Sequence, residues 1–254
     1  MDISELNRIS SQKEFRRHPW ELARVRAISF LLKKSFPKYK RILDIGSGDA
    51  FVIRQLADKN IADVYTAIDT AYSPQIISTL KENADAGIEF YSGLPENINA
   101  DCILILDVLE HCENDHEVLQ DNTRKGAIAE GATVLVTVPA FGGLFSQHDR
   151  LLGHHRRYSR KQLKRLLEKN EMQVINDGYF FMSLLPVRII QLLFEKLNLR
   201  KAKKSIDDWK GNNIISNIIS TILWADFRVC YFLSRLGINL PGLSCYCLCK
   251  KSPS

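Results

Sequence analysis

Asp44 is followed by Ile45 and then Gly46-Ser47-Gly48, and Asp69 stands 21 residues beyond Gly48. Glycines between a short apolar run and a helix let a ligand approach the backbone and the helix N-terminus. A dinucleotide fingerprint wants a third small residue where the helix packs on its strand, and Phe51 occupies that place. The Asp44 carboxylate would also repel a pyrophosphate at the strand end, but it suits an ammonium or a sulfonium. Asp69, ending the next strand, is placed to accept from both hydroxyls of a ribose, with Thr70 beside it. The ligand that satisfies both acids is a nucleoside with a cationic amino-acid arm.

The elements that must position these residues follow a strand–helix rhythm. An amphipathic helix over 20–36 leads in. Strands are expected at 41–45, 64–68, 88–91, 102–106, 133–138 and 172–179, with helices at 51–58, 73–83, 116–129 and 159–169 between them. Two long apolar-striped helices, 186–197 and 214–236, then precede a last strand at 243–249. The expected fold is α/β: a Rossmann-like, seven-stranded, mostly parallel sheet with helices on both faces and a helical insertion between strands six and seven. One domain is expected: a lead-in over 1–40, a cofactor-binding core over 41–182, an acceptor-side insertion over 183–242, and the returning strand and tail over 243–254.

On Leu43 to Gly48, Asp69, the run Leu106-Asp107-Val108-Leu109-Glu110-His111 and Val138-Pro139-Ala140, the chain resembles the class I S-adenosylmethionine-dependent methyltransferases. The resemblance covers about 20–179 and the final strand. It implies that Asp44, Gly46, Ser47 and Gly48 hold the methionine part and Asp69 the ribose, with Thr70, Asp107 and Val108 completing the cofactor site. An acid often meets the adenine after the third strand; Tyr91-Ser92-Gly93 stands there, leaving Ser92 or a backbone group. The trio Asp107, Glu110 and His111 is also similar to one in ubiquinone-pathway O-methyltransferases that can hold a divalent metal; no metal ligand is assigned on that basis. The segment 141–159 is similar to one in bacterial methyltransferases of envelope and lipid-linked glycan pathways, where it covers the acceptor.

Methyl transfer is a one-step displacement, and a hydroxyl acceptor is helped by a base. Three residues are candidates: His111 after strand four, His148 after strand five and Asp226 on the last helix. Phe141, His148, Arg156, Arg157 and Tyr158 are expected to meet the acceptor, the two arginines as forks for an anion. Asp226 falls on an apolar stripe, where an ion pair with Arg188 is the structural alternative to a catalytic role. Six basic residues crowd 156–165 with no interleaved aromatic but Tyr158, which disfavours nucleic acid.

Composition bounds the rest. The 254 residues are 45% hydrophobic and 25% charged, with 35 basic against 29 acidic side chains, a net charge of +6 and a pI near 9.0. That excludes collagenous, low-complexity and disordered classes. Six cysteines in a chain this long read as buried thiols, and Cys245, Cys247 and Cys249 alternate as core residues of one strand. The polar start carries no secretory signal, so a cytoplasmic protein is expected. Lys196, Arg200, Lys201, Lys203 and Lys204 beside apolar helices add peripheral contact with the inner face of a membrane. The expected function is O-methylation of a lipid-linked or envelope-type acceptor. The alternatives are a soluble small-molecule (quinone or secondary-metabolite) methyltransferase and a catalytically silent scaffold of the same fold.

Overall fold

A computed structural model describes residues 9, 16–82, 87–123, 127–197, 209 and 211–252. The strands are β1 (Tyr39–Ile45), β2 (Ala62–Ile68), β3 (Ile88–Tyr91), β4 (Ala100–Leu106), β5 (Ile128–Pro139), β6 (Met172–Phe180) and β7 (Ser244–Lys251). The helices are α1 (Pro19–Ser35), α2 (Phe51–Ala57), α3 (Pro74–Glu82), α4 (Asp115–Asn122), α5 (Gln147–Leu151), α6 (Arg160–Lys169), α7 (Leu184–Lys196) and α8 (Asn213–Arg235). All seven strands form one sheet in the order β3-β2-β1-β4-β5-β7-β6. β1 pairs in parallel with β2 and β4, β4 with β5, and β2 with β3. β7 runs antiparallel between β5 and β6. The expected seven-stranded, mostly parallel sheet is therefore the observed one.

The central strands are continuous apolar runs because both faces are covered. One core packs α1, α2 and α8 on one face, through Ile28, Leu32, Ile53, Leu56, Phe227 and Tyr246. The other packs α4 and α6, through Ile103, Leu119, Val136, Leu163 and Leu167. Along β7, Cys245, Cys247 and Cys249 enter the second core while Tyr246 and Leu248 enter the first. The three thiols are free and fully buried, as expected of core residues, and burial pushes each pKa up.

Helix starts follow their capping chemistry. Ser159 and Gln162 close a capping box at α6, and Pro19 opens α1 behind the acceptor side chain of His18. The sequence expectation fails at 116–129. α4 stops at Asn122, and Ile128 already pairs with Ala100 of β4. Sheet pairing outweighs helix propensity there, and Gly131, at φ +68°, bends the strand before its core-facing run.

The two helices expected between β6 and β7 are present, with much of their apolar stripe on the outside. On α8 the buried residues include Ser216, Ser220, Asp226, Phe227 and Cys230, whereas Ile214 (69% exposed), Ile215, Ile218, Ile222, Val229 and Phe232 (63% exposed) face outward. On α7, Arg188 and Leu192 are buried, and Val187, Ile189, Ile190, Leu193 and Phe194 are exposed. α8 is long and apolar enough to cross a membrane, yet it packs along α1 and β6. Most of the basic segment between α7 and α8, with Arg200, Lys201, Lys203 and Lys204, lies outside the described residues, as does the side chain of Lys196.

Candidate functional site

The first two strands and their turns bring the predicted acids together. Asp44, at the end of β1, is buried and accepts a 2.9 Å hydrogen bond from Ser47 Oγ. The N–H groups of Gly46 and Ser47 donate to the Ile68 carbonyl, drawing the glycine turn across the tip of β2. There Asp69, also buried, accepts from the N–H of Gly48 at 3.1 Å and of Ala71 at 2.9 Å. Tyr72 completes the cradle by donating its hydroxyl to the Gly48 carbonyl at 2.8 Å. Gly46 has φ +70°, and a Cβ there would lie 2.5 Å from Val108 Cγ2. The turn thus needs glycine both for its backbone and for its approach to Val108. Thr70 and Ser92 are exposed, in the turns after β2 and β3.

Burial, opposed by Ser47 and Arg24 and assisted by the charge of Asp69, raises the Asp44 carboxyl to about 7. A buried acid held this far above its usual range gains from a cationic partner. The α-ammonium of S-adenosylmethionine is such a partner, so this cradle fits the cofactor that both acids imply.

The N-terminal helix supplies residues that the sequence reading missed. Arg24 of α1 reaches Asp107 Oδ2 at 2.7 Å and donates to Thr137 Oγ1 at 2.9 Å, while Thr137 donates to Asp107 Oδ1 at 3.0 Å. Asp107, at φ +54° after β4, is therefore held by α1 and β5. Just before α1, Arg17 pairs with Asp49 at 2.7 Å and lies 4.0 Å above the Phe51 ring. α1 thus straps the cofactor turn. The available signal was the spacing of Glu21 and Arg24, which share one face of α1.

Segment 141–159, expected to cover the acceptor, is built around a buried acid. Asp149 Oδ2 accepts from the N–H and hydroxyl of Ser146, at 2.9 and 3.1 Å. Its Oδ1 meets His154 Nδ1 at 3.0 Å and accepts from Arg157 Nε at 2.7 Å. Arg188 of α7 approaches Asp149 Oδ2 at 3.6 Å and donates to Ser146 Oγ. Burial works against this carboxylate, but His154 and Arg157 overcome it and hold its pKa well below the usual range. His148 stands next to this hub, half-buried. Burial and the positive Arg188 lower its pKa, which keeps the imidazole neutral at pH 7.

The remaining predicted acceptor residues mostly fasten the chain to itself. Arg156 bonds Asp115 at 3.2 Å and the carbonyls of Cys112 and Glu113. Arg157 adds the Ala140 carbonyl to its Asp149 contact. The two forks expected to take an anion thus engage internal acceptors. Tyr158 is buried and donates to Leu109 O and Asp115. Phe141, at φ +62°, stacks on Tyr179 with centroids 5.4 Å apart.

Asp226 does not pair with Arg188. It accepts from the N–H and hydroxyl of Ser183, both at 2.8 Å, and so ties α8 to the start of α7. Arg188 goes instead to the Asp149 hub. His111 is exposed, its ring edge-on to His154 at 4.6 Å. Glu110 is buried with Oε2 lacking a hydrogen-bond partner, and burial raises its pKa. One ligand atom from each of Glu110, His111 and His154 lies within 4.8 Å of the others, a set that could hold a divalent cation. Asp107, held by Arg24, stands outside this set, so the trio read from the sequence is not the one the fold assembles.

The strand order places this site at the carboxyl ends of β1, β2, β4 and β5, where open α/β sheets bind ligands. Solved structures share the fold. N-methyltransferase NodS from Bradyrhizobium japonicum, in complex with S-adenosyl-L-homocysteine, is 16% identical, covering 68% of this chain and 87% of its own, with a TM-score of 0.54. The plantazolicin methyltransferase BpumL, in complex with a monoazolic desmethylPZN analog and SAH, is 14% identical over 92% and 85% at 0.54. The [4+2]-cyclase SpnF is 13% identical over 99% and 92% at 0.57. No curated protein matches the chain in sequence. The family described as methyltransferase domain matches residues 13–177, which span the α1 strap, the glycine cradle, both acids and the acceptor segment. That is well over half the chain, and the chain accordingly belongs to the methyltransferase-domain family as an S-adenosylmethionine-dependent methyltransferase.

Proposed function

We propose that the chain methylates a hydroxyl group on a lipid-linked or envelope-type acceptor, with His148 as the base. The observation that carries this reading is the position of His148: a half-buried imidazole of depressed pKa, next to a hub joining the acceptor segment to α7. S-adenosylmethionine, when bound, supplies an electrophilic methyl group on its sulfonium. Asp44 would hold the ammonium and Asp69 the ribose hydroxyls, with Arg24 the nearby cation for the carboxylate of the methionine arm. The acceptor oxygen would bond the methyl carbon as the carbon–sulfur bond breaks and the neutral thioether leaves with its electron pair, and the acceptor's proton would pass to His148, whose neutral ring can take it. The cover formed by 141–159 keeps water from the sulfonium. The lipid-linked class is supported by α7, which is fastened to this cover by Arg188 and presents apolar side chains on its outer side.

The test is transfer from methyl-labelled cofactor into bacterial lipid extract and, separately, into aqueous extract. Label is expected in the organic phase, abolished by Asp69→Ala and reduced about 10²–10⁴-fold by His148→Ala with cofactor affinity retained. Label confined to water-soluble products would favour the small-molecule alternative. Full rate in His148→Ala with loss in His111→Ala would move the base to His111.

A further inference from the structure

Glu110 differs from the other acids of the site. It is 1% exposed, its Oε2 has no hydrogen-bond partner, and Asp107 adds negative charge nearby. The cations in range, Arg24 and Arg157, are engaged by Asp107 and Asp149. A buried carboxylate with a bare oxygen is costly unless something neutralises it. Two imidazoles stand beside it. One ligand atom from each of Glu110, His111 and His154 falls within 4.8 Å of the other two. The two rings meet edge-on, with centroids 4.6 Å apart.

The fold assembles this set in advance. Glu110 and His111 share a single 3₁₀ turn, Leu109–His111, just after β4. His154 comes from segment 141–159, which is fastened to that turn by the His155 N–H donating to the Glu110 carbonyl at 2.7 Å. Arg156 adds bonds to the carbonyls of Cys112 and Glu113. Asp149 then prepares the His154 ring. Its depressed pKa keeps it ionised, so at 3.0 Å it accepts from Nδ1–H and leaves the lone pair on Nε2. A carboxylate behind an imidazole is the arrangement that orients metal-binding histidines and raises their basicity. Glu110 is buried, His154 half-buried and His111 exposed, so the set opens to solvent on one side and a cation has a way in.

We propose that Glu110, His111 and His154 bind a divalent transition-metal cation, zinc by preference, with Asp149 orienting His154. Donor chemistry selects the class. Two imidazoles and one carboxylate suit zinc and its neighbours in the series, whereas magnesium and calcium take sets of oxygens. Donors about 2.0–2.1 Å from a tetrahedral zinc lie about 3.4 Å apart, so no pair in this set closes by more than about 1.4 Å, which small side-chain rotations supply. Three protein donors leave the fourth position to water. The cation neutralises Glu110 and ties the turn after β4 to segment 141–159. The site uses neither Asp44, Asp69 nor His148, so it does not rest on the proposed transfer.

The experiment is titration of the full chain, first stripped with a chelator, with Zn²⁺ followed by calorimetry and with Co²⁺ followed by visible absorption. One equivalent of Zn²⁺ is expected to bind saturably and to raise Tm, and Mg²⁺ in about hundredfold excess should not displace it. Co²⁺ should give the visible bands of a four-coordinate nitrogen–oxygen site without the charge-transfer absorption of a thiolate. His111→Ala and Glu110→Gln should each weaken Zn²⁺ binding about a hundredfold. Should Glu110→Gln not fold, His111→Ala carries the test, because its side chain is exposed and lies outside both cores. Wild-type chain without saturable Zn²⁺ binding overturns the proposal. So does unchanged affinity in His111→Ala, or a thiolate band with Co²⁺, since the cation then sits elsewhere. Binding is read without cofactor or acceptor, so its failure leaves the transfer reading intact, and failure of that reading leaves the metal site intact.

Discussion

Asp44 carries a conflict between stability and binding. Its folded-state carboxyl titrates near 7, above the ordinary 3.8, because burial disfavours the charge. A raised acid pKa means that the folded chain holds the proton more tightly than the unfolded one. Stability therefore falls as pH rises from about 4 to about 7 and is flat above that. Asp44→Asn removes the loss, so its melting temperature should exceed wild type by several degrees at pH 8 and by much less at pH 5, in calorimetric scans. With Asp44 in the proposed role, cofactor binding is expected to run the other way, since the ammonium would need the ionised carboxylate. Affinity measured by titration calorimetry should rise about tenfold from pH 6 to pH 8 in wild type, following the ionised fraction of a group with pKa near 7. The asparagine variant should bind weakly with no such slope. A variant neither stabler nor weaker at pH 8 would remove Asp44 from the cofactor site.

At the scale of elements, the glycine turn and the acceptor cover hold their shapes for different reasons. In the turn the constraint is space: Gly46→Ala adds a methyl 2.5 Å from Val108 Cγ2 on a backbone at φ +70°. Val108→Ala should restore the part of the lost stability due to the clash and leave roughly 1–2 kcal/mol for the left-handed backbone, in a double-mutant cycle of denaturant midpoints. In the cover the constraint is charge. Asp149→Asn leaves Arg157 and Arg188 beside a neutral amide, which should cost about 3–5 kcal/mol and expose 141–159 to limited proteolysis. Because the Asp149 pKa is depressed, its contribution is complete above about pH 4 and is lost only as pH falls through the folded value, well below that. Wild-type cover should thus resist protease at pH 5 as it does at pH 8. The cradle was legible in the sequence because Asp44, Gly46, Gly48 and Asp69 act where the local strand–turn–helix period places them. The cover was legible as a segment but not as an ordered one, since its hub needs Arg188 from a helix some forty residues away. Arg24 and the Ser183–Asp226 tie were hidden for the same reason: each joins elements that only the folded sheet brings side by side. The apolar stripes of α7 and α8 were legible in the sequence, but the direction they face was not. An apolar stripe has the same period whether it faces the core or leaves it.

For the molecule as a whole, the last strand decides whether the two halves of the sheet are one body. β1 to β5 carry the glycine turn and its two buried acids, while β6 and α7 anchor the segment 141–159. Within the described sheet β6 has one partner, β7, and β7 also closes β5. Residues 244–251 hydrogen-bond along both edges, from Pro139 to Thr133 on one side and from Phe180 to Met172 on the other. Tyr246 reinforces the join by donating its hydroxyl to Asn176 Oδ1 at 2.9 Å while its ring fills the first core. Gly178 admits that ring, since a Cβ there would meet it at 2.9 Å. Deleting 244–254 should therefore do more than remove one strand. It opens the long apolar edge of β5, an invitation to intermolecular pairing, and leaves β6, α7 and α8 without their sheet. The truncated chain is expected to lose its single cooperative thermal transition, to bind a hydrophobic dye and to aggregate at micromolar concentration. A milder cut at the same join, Gly178→Val, should lower the melting temperature while keeping one transition, because the strand survives and only the Tyr246 ring must move. A truncated chain that still melted cooperatively and bound cofactor at wild-type affinity would mean that β1 to β5 fold by themselves, with the acceptor side as a separable attachment.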